Sequence, residues 1–202
     1  MELFNGIRET FKKAKSKERK QVKPLMFDDQ SLNAIRQIYE VDNPNLHEIP
    51  FLGVVDENGN VEQVICEPNF PRQSRLKQVG GVVFNSSVDK NELAHLFQKA
   101  DSQGILKRVK LVGHLHPTGQ TKIGHQTYSV PATEYSLDPS ENDISFMNEL
   151  GRLNPDFSFD HTAITSETPN GQKMRIYNTK ELSTVKKASQ LDKISRQDVD
   201  LK

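Results

Sequence analysis

The sequence predicts an α/β domain that carries polar appendages. Along the chain, short apolar segments typical of buried strands alternate with segments whose apolar residues recur at helical spacing. The length of 202 residues fits one domain plus appendages. Only 34% of the residues are hydrophobic while 27% are charged, which indicates polar tails around a core of ordinary composition.

Three helices are predicted within the domain. Each has an apolar face at helical spacing and a polar residue that can cap its N-terminus. In the second helix Glu92 follows the cap by three residues, which completes a capping-box pattern. The predicted spans are residues 29–40 with Asp28 or Asp29 as cap, residues 89–104 with Asp89 as cap, and residues 139–151 with Asp138 or Ser140 as cap.

Buried strands are predicted between and around these helices. Two turn sequences that contain Asn-Gly, at residues 57–60 and 168–171, indicate hairpins. Residues 117–138 are rich in Gly, Thr, Ser and Pro and are predicted to form a long loop, a feature that is often functional. The predicted strands cover residues 51–56, 61–66, 79–84, 109–112, 157–165 and 173–177.

Charge separates the N-terminus from the rest of the chain. Residues 1–23 contain eight basic and three acidic side chains, a net charge of +5, which leaves −5 elsewhere because the formal net charge of the chain is zero. We therefore divide the chain into a basic N-terminal arm (residues 1–27), a globular domain (residues 28–178) with an insertion (residues 118–138), and a polar C-terminal tail (residues 179–202). The tail is expected to form a terminal helix or to remain disordered.

The composition also limits which cellular compartment and which binding partners are expected. Cys66 is the single cysteine, so an intramolecular disulfide is excluded and a reducing, cytoplasmic location is expected. The sequence contains no signal-peptide pattern and no apolar stretch long enough for a membrane span. Basic residues 8–23 leave contact with nucleic acid or with an acidic surface open, the alternative being a solvated tail.

Two histidines at the end of a predicted strand form a candidate metal site. His114 and His116 are two positions apart, and residues i and i+2 of a strand share one face. Asp143 lies in the first predicted turn of the third helix, where its carboxylate can supply a third ligand. Three protein ligands with a fourth position open to water describe a catalytic zinc site, one ion per chain, and a nearby carboxylate is then needed to accept a proton.

The spacing of these residues resembles a known family. Residues 114–117 read H-L-H-P and residues 139–143 read P-S-E-N-D, which is similar to the H-x-H-P and P-S-x-x-D signature of the JAMM, or JAB/MPN+, zinc metalloproteases. The RadC branch is the nearest, because Thr118-Gly119, Ile144 and the pair Asp160-His161 also match its pattern. The resemblance covers about residues 45–178.

The resemblance implies a fold, an activity and residue roles. The fold would be the MPN/JAB domain, a mixed curved sheet with flanking helices in cytidine-deaminase-like layering. His114, His116 and Asp143 would be the zinc ligands, Glu48 the general base, and Ser140 the group that stabilises the oxyanion. The activity would be hydrolysis of a peptide or isopeptide bond in a protein or peptide substrate, such as a ubiquitin-like conjugate.

Two alternatives remain beside this function. One is a RadC-like role in DNA repair or mobile elements, although residues 1–45 lack the helix-hairpin-helix motif of full RadC proteins. The other is a metal-free MPN scaffold that only binds partners. Glu57 and Glu67 compete with Glu48 for the role of base.

The chain departs from the family pattern at two places. Three residues after Glu48 this chain has Phe51, whereas the family often has Gly three residues after its glutamate. Residues 117–139 separate His116 from Ser140 by more than the family's usual spacing, which implies an insertion beside the metal. We expect residues 118–138 to act as a lid or an exosite for substrate.

Overall fold

The computed structural model describes residues 23–43, 46–72, 77–79, 82–84, 88–123, 125–153, 159–186 and 188–201. These residues form a mixed α/β fold in which helices flank a curled, mixed sheet. The helices are α1 (Asp29–Tyr39), α2 (Lys90–Ser102), α3 (Glu141–Leu153) and the short α4 (Thr179–Leu182), with 3-10 helices at Leu106–Arg108, Glu134–Leu137 and Ala188–Lys193. The strands are β1 (Met26–Phe27), β2 (Ile49–Val55), β3 (Asn60–Cys66), β4 (Lys77–Val79), β5 (Val82–Phe84), β6 (Val109–His116), β7 (Gly119–Ile123), β8 (Gln126–Val130), β9 (His161–Thr168), β10 (Gly171–Asn178) and β11 (Arg196–Asp200).

Seven strands make up the main sheet, in the order β1-β3-β2-β6-β9-β10-β11. At its centre β6 pairs antiparallel with β2 and parallel with β9. The β2–β6 register places Pro50 opposite His114 and Ile49 opposite Leu115. The start of β2 therefore lies beside the end of β6, and this edge of the sheet carries the candidate site.

Each face of the sheet is covered by helices. On one face Ile35 and Ile38 of α1 pack against a cluster that includes Phe51 and Leu111. On the other face α2 and α3 pack over a second cluster that includes Leu52. Adjacent residues of β2 point to opposite faces, and so the continuous apolar sequence of this strand reflects burial on both sides.

A close cross-strand contact requires a glycine at position 113 of β6. Gly113 lies opposite Phe51 of β2, whose ring covers the glycine. A Cβ atom at position 113 would lie 2.2 Å from the Phe51 Cζ atom, which is far inside van der Waals contact. Because residue 113 has no side chain, β6 can pass beneath the Phe51 ring without distortion and continue to His114 and His116.

The predicted helices and caps are mostly confirmed. Asp28 caps α1, where its Oδ1 atom accepts a hydrogen bond of 2.7 Å from the Ser31 N–H. Asp89 caps α2 through a hydrogen bond from the Asn91 N–H. The capping-box interpretation of Glu92 is wrong, because this side chain is fully buried and its carboxylate pairs with Arg72. A buried guanidinium competes for the carboxylate more strongly than one backbone N–H does.

Two predictions about irregular segments need correction. The single strand predicted over residues 79–84 is instead split into β4 and β5, which pair antiparallel. The long loop predicted over residues 117–138 is mostly ordered secondary structure: β7 and β8 form a hairpin, and a 3-10 helix follows at Glu134–Leu137. A polar, Thr-rich sequence resembles a loop in composition even where it forms a two-stranded ribbon, and this is why the sequence did not reveal the hairpin.

The predicted tail contributes to the sheet. β11 pairs antiparallel with β10 as its edge strand, and Leu182, Leu191 and Leu201 are buried. Neither this strand nor its packing is predictable from the pattern of apolar residues, because a polar edge strand buries few side chains. Residues 1–22, which hold most of the basic arm, lie outside the described residues. Among the described helices none has the length and apolar character needed to cross a bilayer.

Candidate metal centre

Two secondary-structure elements bring three ligand side chains together. His114 and His116 lie at the end of β6, on the face of the sheet that α3 covers, and Asp143 lies in the first turn of α3. The Nε2 atom of His114 is 3.3 Å from Asp143 Oδ1, and the Nε2 atom of His116 is 3.3 Å from Asp143 Oδ2. One ligand atom from each residue lies within 4.8 Å of the others. The three side chains are thus close enough to bind one metal ion.

A reciprocal cap fixes Asp143 at the helix start. The Ser140 N–H donates a hydrogen bond of 2.6 Å to Asp143 Oδ2, and the Asp143 N–H donates one of 3.2 Å to Ser140 Oγ. These two bonds satisfy backbone groups that the first turn of α3 would otherwise leave unpaired. Ser140 is exposed, and because its oxygen accepts from Asp143, its hydroxyl hydrogen can be donated outward.

A backbone carbonyl orients His116. The Nδ1 atom of His116 lies 2.8 Å from the Ser136 carbonyl oxygen in the 3-10 helix that precedes α3. A carbonyl oxygen only accepts hydrogen bonds, so Nδ1 carries a proton, and in the neutral ring the lone pair therefore lies on Nε2. This arrangement is typical of histidines that ligate a metal through Nε2.

Glu48 lies beside the triad. Glu48 immediately precedes β2. The last antiparallel pair at this end is Ile49 with Leu115, and one further step of the same register places Glu48 across from His116, on the same face of the sheet. Its side chain is largely buried, and its Oε2 atom has no hydrogen-bond partner within the described part of the chain. The charges of His114, Asp143 and His116 all act on its carboxyl group.

Burial and mutual charge shift the pKa values of these groups. Burial raises the pKa of Glu48, with His114 opposing the rise and Asp143 adding to it. Burial alone would lower the pKa of His114, but the charge of Asp143 outweighs it and raises that pKa. Burial would likewise raise the pKa of Asp143, yet the two imidazoles hold it well below its ordinary range. In the protein alone, His114 and Asp143 therefore stabilise each other's charged forms.

The donor set fits a zinc ion. Two ligands of one tetrahedral zinc, with bonds of about 2.0–2.1 Å, lie about 3.3–3.4 Å apart; each imidazole nitrogen is 3.3 Å from a different oxygen of Asp143, and the three ligand atoms lie within 4.8 Å of one another. The Nε2 atom of His114 is buried and makes no aligned hydrogen bond to any described residue, although Asp143 is near. Two nitrogens and one carboxylate oxygen are ligands that zinc prefers, and a buried nitrogen without a hydrogen bond is what a metal would satisfy.

No family model and no curated protein matches this chain. The assignment of the site therefore depends on the residues themselves. All five residues predicted from the sequence, Glu48, His114, His116, Ser140 and Asp143, lie in one region, around the end of β6 and the start of α3.

The competing residues lie elsewhere. Glu67 makes a hydrogen bond of 3.1 Å to Lys99 and lies near His95, so its carboxylate already has a cationic partner. Glu57 is exposed in the β2–β3 turn, at the other end of β2 from Glu48. His161 is buried on β9 opposite Leu111 of β6, away from the end of β6 that carries the ligands, and burial lowers its pKa.

Sequence reasoning missed two contributors to the site, and both act through the backbone. The Ser136 carbonyl orients His116, and the backbone of Val88 is close enough to hydrogen-bond the Glu48 carboxyl group. Any residue offers the same carbonyl or N–H group, so no side-chain pattern could have identified these positions.

Proposed function

We propose that the chain is a zinc-dependent hydrolase of the JAMM type, with an MPN/JAB domain, that cleaves an amide or isopeptide bond. The observation that carries the proposal is the convergence of His114, His116 and Asp143 at ligand distance, with the buried Glu48 carboxylate beside them. Zinc held by the three ligands would supply a Lewis acid and a source of acidified water.

The residues around the ligands have defined tasks in this proposal. Glu48 accepts a proton from water and returns it to the leaving nitrogen; burial raises its pKa, which makes the carboxylate a stronger base than an exposed glutamate. The Ser140 hydroxyl, at the exposed start of α3, donates to the negative charge that develops on the carbonyl oxygen of the substrate. The Ser136 carbonyl holds His116 in the tautomer that leaves Nε2 free to bind metal.

A cavity of about 300 Å³ adjoins His116 at the edge of the sheet. Its lining includes Tyr39 of α1, Leu115, Pro117 and Glu167, but none of the other four predicted site residues. The β7–β8 hairpin begins three residues after His116, and we propose that it contacts the substrate as a lid or exosite. A ubiquitin-like conjugate is the substrate class that the family resemblance implies.

The test is hydrolysis of a panel of ubiquitin-like conjugates and unmodified peptides by the purified protein, with zinc and with a chelator. We expect chelator-sensitive cleavage of at least one conjugate. Glu48→Gln keeps the size of the side chain but cannot accept a proton, so turnover should fall by on the order of 10²–10⁴ while bound zinc is retained.

Glu67→Gln is the matched control, because Glu67 is paired with Lys99 away from the triad, and it should retain wild-type turnover. Full activity in Glu48→Gln would reject the assignment of the base. A protein that binds no zinc and cleaves no member of the panel would reject the hydrolase and favour the non-catalytic scaffold. Cleavage or binding of DNA instead would favour the RadC-like role.

A further inference from the structure

One short segment contacts two of the three ligands. The Ser136 carbonyl accepts the hydrogen bond from His116, and the Ser140 N–H donates to the carboxylate of Asp143. These contacts come from the two ends of residues 136–140. The position of this segment therefore sets the orientation of one imidazole and one carboxylate at the same time.

The middle of the segment is attached to strand β10 by side chains outside the site. Arg175 donates a hydrogen bond of 2.8 Å from Nη1 to Asp138 Oδ1. The Tyr177 hydroxyl lies 3.1 Å from the same oxygen and 3.3 Å from the Leu137 carbonyl oxygen. Two adjacent residues of the segment are thus held by two side chains that point the same way from β10.

The attachment is rigid because its members are buried and doubly bonded. Tyr177 and Leu137 are fully buried, and only 9% of Arg175 is exposed. The guanidinium of Arg175 is itself fixed from behind by two hydrogen bonds, of 2.7 and 3.0 Å, to the two carboxylate oxygens of Asp198 on β11. A planar guanidinium held on both sides has little freedom to follow a displaced segment.

We propose that Asp138, Arg175 and Tyr177 are positioning residues that preset His116 and Asp143 for the metal. This inference rests on the proposed function and deepens it, since it assigns a share of the metal affinity to Asp138 within the 136–140 segment and to Arg175 and Tyr177, which hold the segment from β10. Partners of this kind commonly contribute about 10–100-fold to the affinity of a metal site.

The test is the zinc affinity of the full chain, measured by competition with a chromophoric chelator, together with the absorption spectrum of the cobalt(II)-substituted protein. Tyr177→Phe removes one hydroxyl from the segment, and Asp138→Asn weakens its bond to Arg175. We expect each to weaken zinc binding about 10–100-fold and to change the cobalt ligand-field bands, because the ligands reorient.

Two controls remove comparable groups that do not contact the segment. Tyr39→Phe deletes a hydroxyl that bonds Thr165 and the Lys173 carbonyl. Asp200→Asn changes a partner of Lys173, on the same edge strand as Asp198, and leaves the bonds of Arg175 in place. Both should keep the wild-type zinc affinity and cobalt spectrum, whatever they do to the melting temperature.

The outcomes separate the two claims. If the wild type binds zinc and Tyr177→Phe and Asp138→Asn bind it equally well with an unchanged cobalt spectrum, the positioning role is rejected and the proposed function stands. The positioning role is also rejected if the controls weaken binding as much as the test variants, because the effect then follows general stability. If the wild type binds no zinc, the proposed function fails, and the inference fails with it.

Discussion

Two clusters of buried charge lie in this molecule, and they differ in how completely their polar atoms are paired. In the first, Arg72 and Glu92 form a bidentate ion pair, and the remaining donors of the guanidinium reach the Glu67 and Pro68 carbonyl oxygens. In the second, the His114 Nε2 atom and the Glu48 Oε2 atom are buried but make no hydrogen bond to the described residues.

The difference fits one cluster that serves the fold and a second that could bind a metal ion. An unpaired buried polar atom costs free energy, so a cluster that serves only the fold is expected to satisfy all of its members, as Arg72 and Glu92 do. A cluster that leaves a nitrogen and a carboxylate oxygen without an aligned hydrogen bond is suited to bind an ion. The following predictions test this comparison, from the largest expected effect to the smallest.

Metal content should distinguish the clusters most strongly. We expect about one zinc per wild-type chain and near-complete loss in His114→Ala/His116→Ala, since only one of three ligands remains and the free energy of zinc binding comes from the full set. Arg72→Met should retain the zinc, because Arg72 contacts none of the three ligands in the structure. The measurement is metal analysis after dialysis. Stoichiometric zinc in the double variant would reject the site.

The free energy of unfolding should instead depend most strongly on the Arg72–Glu92 cluster. Arg72→Met leaves the fully buried Glu92 without its cationic partner, and we expect the free energy of unfolding to fall by about 3–5 kcal/mol. Arg72→Met/Glu92→Leu removes both charges and should recover most of this loss. Urea denaturation of the chelator-treated protein gives the values. Lys90→Ala, at an exposed ion pair with Glu149, is the control and should cost at most about 1 kcal/mol.

An equal loss in Lys90→Ala and Arg72→Met would show that burial of the Arg72–Glu92 pair has no special role. Failure of Arg72→Met/Glu92→Leu to recover stability would mean that the two side chains contribute through packing rather than through their pairing.

The smallest effect concerns the pH dependence of stability at Glu48. Its pKa in the folded protein lies above the ordinary value of 4.5, so ionisation destabilises the fold as pH rises from about 4.5 through the folded pKa, and the cost is constant above it. Glu48→Gln mimics the neutral form. The chelator-treated variant should match the wild type at acid pH and exceed its stability at neutral pH, by about 1.4 kcal/mol for each pKa unit.

Zinc should reduce this difference, because a nearby cation favours the ionised carboxylate. The measurement is urea denaturation of both proteins across pH, with and without zinc. A wild type that remains more stable than Glu48→Gln at neutral pH in the presence of chelator would contradict the view that Glu48 is an uncompensated buried acid.

Much of the fold could be predicted because it depends on local patterns. Helical spacing and capping residues identified α1 to α3, and apolar segments with Asn-Gly turns identified the β2–β3 and β9–β10 hairpins. The predictions failed where side chains carry little periodic information. Lys77–Val79 and Val82–Phe84 were merged into one strand, the polar hairpin β7–β8 was taken for loop, and the edge strand β11 was missed.

The candidate site shows the same division between local and long-range information. The sequence by itself determined the chemistry: two histidines on one face of a strand, an aspartate in the first turn of a helix, and a serine that caps that helix. Only the tertiary structure decided that Glu48 lies across from His116, that Glu92 binds Arg72, and that Arg175 and Tyr177 hold the segment beside the ligands. The physical reason is that capping and strand alternation act over a few residues, whereas register and the pairing of buried charges depend on which distant segments share a core.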